Sequence, residues 1–166
     1  DAATEPSGTH GGLVSPFAVY IIGGNTVAGR TVTVCDRTAI AGGGSAQGTL
    51  AAGDCPALDK GPGHLTDLLT FRVGGGASGS VGAGSRVRIS LYTDGYDPEL
   101  IVLGPRGNVV ALSNNFGYTD VEFDAVEEGI YVIEPSSFYS GGTGPYFVEM
   151  AVVGGFQGEL SGTLSY

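Results

Sequence analysis

Residues 97–115 read DPELIVLGPRGNVVALSNN. Two apolar runs, Leu100–Leu103 and Val109–Leu112, flank Gly104-Pro105-Arg106-Gly107-Asn108. Gly and Pro cannot continue a strand ladder, but they suit a tight reversal. The stretch therefore predicts a β-hairpin. Both runs are apolar at every position, so alternation cannot say which face is buried. Runs of this kind suit strands in the middle of a sandwich.

The same punctuation recurs along the chain. The 166 residues include 31 glycines, and only 14% are charged. Glycine costs about 1 kcal/mol against alanine inside a helix, and no window sustains a 3.6-residue apolar period. Short strands and many turns are the natural reading. Phe17–Ile22 and Gly129–Ile133 are apolar strands, and Gly48-Thr49-Leu50 is a short one. Arg30–Cys35, Leu69–Val73, Arg86–Leu91, Val121–Ala125 and Tyr146–Val153 alternate with period two. Cys55 falls in an acidic loop with Asp54 and Asp59, residues 74–84 form a Gly-rich loop, and Tyr139–Gly144 forms a turn. About nine or ten such strands predict an all-β fold, a two-sheet β-sandwich with Greek-key or jelly-roll-like topology. Phe71, Ile89, Leu100, Val102, Phe123, Tyr131, Val148 and Met150 are expected to share its core. The expected organisation is one compact unit. An N-terminal arm with added strands spans 1–47, the sandwich proper spans 48–153, and a tail strand spans 154–166.

The formal net charge is -10 and the pI about 4.3. Such a surface repels phosphates, which argues against nucleic acid and anionic lipid as partners. It favours solubility and divalent cations, or it is simply a solvated acidic face. No run reaches the length of a membrane span. The sequence begins at Asp1 without a signal peptide. The expectation is a mature form, extracellular or at the cell surface after signal-peptide removal. Two cysteines, Cys35 and Cys55, fit a single disulfide in that setting, worth about 3 kcal/mol in the chain-entropy model. Two free buried thiols are the competing reading.

Catalytic motifs are missing. His10 and His64 have no nucleophile at motif spacing. Residues 74–79 have the spacing G-x-G-x-x-G, but a strand follows where a dinucleotide site needs a helix. The expectation is a protein that is not an enzyme and carries no certain cofactor. Calcium is the one site chemistry on offer: Asp94, Asp97 and Glu99 lie close together on a Gly-containing loop, and hard cations want several oxygens at flexible spacing. The same residues are also ordinary turn formers. Asp54, Asp59 and Asp67 make a second acidic neighbourhood. Tyr92, Tyr96, Phe116, Tyr118, Phe138 and Tyr139 sit in or beside loops. They could meet a surface glycan or protein ligand, or close the ends of the sandwich.

The order of several pieces resembles a known family. These are Gly48-Thr49-Leu50, Asp67 ahead of LLTFRV, the DPELIVLGPRGNVV hairpin, Gly129-Ile130-Tyr131, and Gly141–Tyr146 with its closing strand. Over about residues 48–153 the chain is similar to the bacterial pre-peptidase C-terminal domain. The resemblance implies a compact, secreted, non-catalytic β-sandwich, of a kind that usually follows a protease or other hydrolase and in some members binds calcium.

The ends suggest assembly. In the tail, Leu160, Gly162, Leu164 and Tyr166 alternate with polar residues, as an added edge strand requires. Ser161-Gly162-Thr163-Leu164 repeats Gln47-Gly48-Thr49-Leu50, and Gly154-Gly155 would act as a hinge. Phe17, Val19 and Ile21 offer an alternative donor strand. The functional expectation is an extracellular structural subunit that self-associates head-to-tail by strand exchange into a filament, pilus-like fibre or surface layer. The alternative is an accessory module, binding substrate or calcium, associated with a secreted hydrolase.

Overall fold

The computed structural model describes residues 37–57, 60 and 63–154. The strands expected over 17–22, 30–35 and 159–166 lie outside the described residues. Eleven strands follow in chain order: β1 (Arg37–Ala39), β2 (Ser45–Leu50), β3 (Cys55–Pro56), β4 (Leu65–Thr66), β5 (Leu68–Val73), β6 (Ser85–Thr93), β7 (Pro98–Leu103), β8 (Val109–Ser113), β9 (Tyr118–Ala125), β10 (Gly129–Ser137) and β11 (Gly144–Gly154). No helix among the described residues is long and apolar enough to cross a membrane.

The strands form two sheets, as the alternating pattern requires. In the first, β10 is the spine. It pairs β5 over Gly129–Ile133, β4 at Ser136, and β7 over Val132–Ser137. β1 lies parallel to β5, β3 lies beside β4, and β8 lies beside β7. The second sheet runs β2-β11-β6-β9 and is antiparallel throughout. From β6 onward the chain crosses between sheets at β7, β9, β10 and β11. Each sheet supplies one apolar face, and burying both faces against each other is what holds the sandwich.

All eight residues expected in the core sit in one buried cluster with Leu69, Val73, Val87, Leu91, Val121 and Ile133. The opening hairpin forms as read. Gly107 N–H donates to Gly104 O and Gly104 N–H to Asn108 O, both at 2.8 Å, and Gly107 has a φ of 79°. Its two strands differ in burial. β7 is buried at every position, whereas Val109 and Leu112 of β8 are about half exposed. The reason is position: among the described residues β8 pairs only β7, which makes it an edge strand, not a central one.

Other local expectations also shift. Cys55 lies in a strand and not in the acidic loop, because its backbone pairs Thr66. β10 continues past Ile133 to Ser137 by pairing β7. Val152, on the same face of the alternating run as Tyr146, Val148 and Met150, is half exposed where the β11 register slips.

A candidate binding face and the polar tie beneath it

Inward parity on β6, β9 and β11 fixes what points outward. Val87, Ile89 and Leu91 face the core, so Arg86, Arg88 and Tyr92 face solvent. By the same alternation Tyr118, Asp120, Glu122 and Asp124 of β9 and Phe147 and Glu149 of β11 point out. Cross-strand pairing then aligns the aromatics. Phe147 stands opposite Tyr92, and Tyr92 opposite Tyr118. Their ring centroids are 6.1 Å and 5.0 Å apart, and the three side chains remain 38%, 43% and 40% exposed. The result is a row of three rings across three strands, open to solvent.

The other end of this face is ionic. Arg86 donates to both Glu122 and Asp124, and Arg88 donates through Nε and Nη2 to Glu122. These two guanidiniums hold the Glu122 carboxyl below its usual range. The pairs are solvated, so they orient side chains more than they stabilise the fold.

Beyond the aromatic row the chain turns at Thr93 and Gly117, where a cleft of about 590 Å³ opens. Tyr96, Phe116, Tyr139 and the 140–142 turn line it. Phe116 is 87% exposed. Gly144, at a φ of 147°, lets the backbone turn there, since a Cβ would strike the Asp94 carbonyl. The cleft and the row together expose aromatic surface beside a polar turn.

Beneath the cleft lies a polar tie between the sheets. Tyr146 of β11 donates its hydroxyl to Asp67 Oδ2 at 2.6 Å. Asp67 separates β4 from β5, so the bond joins the second sheet to the first. Gly48 makes the bond possible, because a Cβ there would fall on the Tyr146 hydroxyl. Burial raises the Asp67 pKa; the Tyr146 hydrogen bond opposes this, and the Asp54 charge adds to it. Burial and then the Asp67 contact push the Tyr146 phenol up. Burial likewise raises Tyr96, whose buried hydroxyl has no hydrogen-bond partner among the described residues.

The calcium trio is not assembled. Asp94 and Asp97 lie on the loop between β6 and β7, but Glu99 is buried in β7, its carboxylate 2.7 Å from Lys60 Nζ. Lys60 also sits 4.7 Å above the Phe138 ring. No group of three or more His, Cys, Asp or Glu among the described residues could hold a metal ion. Glu99 is buried because both faces of β7 are covered, and turn composition alone could not reveal that. In the second acidic neighbourhood, Asp54 accepts the Ala51 N–H at 2.6 Å, and Asp59 lies outside the described residues. His64 Nδ1 is 3.1 Å from the Ser137 carbonyl oxygen. Cys55 is buried, and there is no free cysteine among the described residues; Cys35 lies outside them. Leu160, Gly162, Leu164, Tyr166, Phe17, Val19 and Ile21 also lie outside.

Sequence reading placed Tyr92 and Tyr118 in or beside loops, and they lie at strand ends next to loops; it passed over Phe147. The signal was present: Phe147 occupies an outward position in a run whose inward residues are Tyr146, Val148 and Met150.

The architecture matches a solved structure, the pre-peptidase C-terminal domain of collagenase from Bacillus anthracis. The TM-score is 0.51 at 20% identity, over 70% of this chain and 95% of that one. The fold is that of a pre-peptidase C-terminal domain. A periplasmic inhibitor of g-type lysozyme from Aeromonas hydrophila also aligns, over 71% of this chain and 98% of the inhibitor, at 14% identity and a TM-score of 0.35. No family model and no curated protein matches the sequence. In this pre-peptidase C-terminal fold, the Asp67 and Tyr146 pieces of the resemblance meet in one hydrogen bond, and the Gly48 piece leaves room for it.

That bond carries a pH prediction. A carboxyl whose folded pKa is raised binds its proton more tightly in the folded state. Stability should therefore fall as pH rises from the ordinary carboxylate value through the raised one. Asp67→Asn should remove this slope while keeping an acceptor for Tyr146. Urea unfolding across acidic pH checks it, and parallel profiles for the two proteins would assign the slope elsewhere.

Proposed function

We propose that this chain is a non-catalytic, extracellular accessory module that holds an extended polymer, a polypeptide or a glycan, on the outer face of its second sheet. The observation that carries the reading is the exposed row Tyr118–Tyr92–Phe147, which runs on into the aromatic cleft. Rings on a rigid sheet offer a large contact area at little conformational cost, and they favour ligands with apolar faces and polar edges. The Bacillus anthracis domain of the same fold belongs to a collagenase, which makes fibrous protein the first ligand to test.

The experiment is co-sedimentation with fibrous collagen and, separately, with an insoluble polysaccharide. One polymer should retain the protein. Tyr92→Ala, an exposed substitution that leaves the core intact, should weaken retention about tenfold, the scale of a single interface anchor. Equal retention of the variant, or no retention by either polymer, would remove the reading.

A second reading is self-association, and a different observation favours it. β2 has β11 on one side and no partner on the other among the described residues. An open edge is a pairing site for another strand. The tail sequence SGTL repeats the QGTL of β2, so a neighbour's tail has the side-chain pattern of a strand this sheet already accepts. The joint would be heterologous, so its repetition would build an open filament. Electron microscopy of the full chain and of a chain lacking residues 159–166 tests this. Fibres of unchanged spacing in the shortened chain would exclude the tail as donor, and a monomeric full chain at high concentration would exclude assembly.

A further inference from the structure

The outer face of the second sheet carries charge as well as rings. Two residues along from Phe147, Tyr92 and Tyr118 stand Glu149, Ser90 and Asp120. Register places them side by side, with Glu149 opposite Ser90 and Ser90 opposite Asp120. This second row lies about 7 Å from the aromatic one, and its neighbouring Cβ atoms are about 5 Å apart. Glu149 is exposed and Asp120 half-buried.

Ser90 is the floor of a notch in that row. Its side chain points to the outer face, because Ile89 and Leu91 on either side of it face the core. It is nevertheless only 8% exposed. The longer side chains of Glu149 and Asp120 flank it across the strands, and those of Arg88 and Tyr92 flank it along its own strand. Its hydroxyl has no hydrogen-bond partner among the described residues. A hydroxyl this enclosed and unpaired is a cost to the free protein that a ligand's donor can remove.

Charge selects what fills the notch. The guanidiniums on this face are already engaged: Arg86 with Glu122 and Asp124, and Arg88 with Glu122. Glu149 and Asp120 have no ion pair among the described residues. The face thus carries four carboxylates against two guanidiniums, on a chain of formal net charge -10. A cation is the complementary group. An ammonium has three donors, and the notch presents three acceptors: the two carboxylates and the Ser90 hydroxyl. The Tyr92 ring beside them attracts a cation as well.

We propose that the polymer held on this face is a polypeptide, and that one of its lysine side chains seats in the notch above Ser90, between Glu149 and Asp120 and against the Tyr92 ring. The proposal rests on the outer face of the second sheet being the binding face. The ligand's backbone lies along the row Phe147–Tyr92–Tyr118, and the flexible four-carbon stem of lysine covers the step from that row to the next. An amine carried directly on a sugar ring has no such stem, so the notch favours a polypeptide over a glycan. Arg88 stays with Glu122 and closes the far side of the notch.

The test is an NMR titration of the full chain with two probes: a capped Gly/Pro peptide, kept extended by its prolines, with one central lysine, and the same peptide with that lysine acetylated. Both should shift the amides of Phe147, Tyr92 and Tyr118. The lysine peptide alone should shift Ser90, and it should bind about tenfold more tightly. Glu149→Gln together with Asp120→Asn should bring the two peptides to equal affinity. Glu128→Gln, which removes an exposed carboxylate from the turn between β9 and β10, should leave the preference intact. Equal affinity of the two peptides for the native chain, with shifts along the aromatic row, would overturn the lysine seat and keep the binding face. Loss of the preference in Glu128→Gln would reduce it to net charge and overturn the seat as well. No shift along the row with either peptide would also overturn the seat, and retention by the insoluble polysaccharide would then show that the face itself still binds.

Discussion

Phe71→Ala will lower the unfolding free energy by about 3–5 kcal/mol, the range for deleting a fully buried aromatic ring. Phe71 is 1% exposed at the centre of β5. Its ring stacks on Tyr131 of β10 at 5.0 Å and lies 6.5 Å from Phe123 of β9. Phe123 also stacks on Tyr131, at 6.1 Å. The three rings bridge the sheets, so the hole left by Phe71 is walled by both and neither sheet can close it alone. The Tyr131 hydroxyl is held at 3.0 Å from the Glu127 carbonyl, which further resists collapse into the gap. Phe123, at 8% exposure near the open side of β9, should cost somewhat less. Urea denaturation measures both. A change below about 1 kcal/mol for Phe71→Ala would mean that the three rings are not the centre of the core.

The second large effect is expected at the cysteines. Replacing Cys35 and Cys55 together by alanine should cost about 3 kcal/mol, the entropy of closing a loop of that length in the unfolded chain. Cys55 is buried against Leu68 and Val132. Intact mass after alkylation without reductant gives the direct answer. The bridged protein should take up no label. Label on both cysteines would dismiss the bond, and the stability loss would then shrink to the packing of a small apolar side chain.

Much of the architecture was legible because period-two patterns survive folding. In β5, β6 and β9 the inward residues are those the alternation marked, from Phe71 through Ile89 to Phe123. The opening hairpin was legible because its Gly and Pro residues admit few other conformations. The candidate site was less so. Tyr92 and Tyr118 were visible as aromatics, but their alignment with Phe147 depends on two strand registers that join residues 26 and 55 positions apart, read from the pairs 92–118 and 92–147.

Sequence alone determined the fold class, the strands that alternate and the residues that fill the core, because local side-chain periodicity suffices for each. Tertiary structure alone decided which apolar run became central and which an edge: β7 gained a partner on each side and β8 on one. It alone took Glu99 out of a plausible cation loop and placed it against Lys60. It alone brought Gly48, Asp67 and Tyr146 together. These outcomes depend on contacts between distant residues, and the spacing of residues along the chain carries no record of which sheet will lie above which.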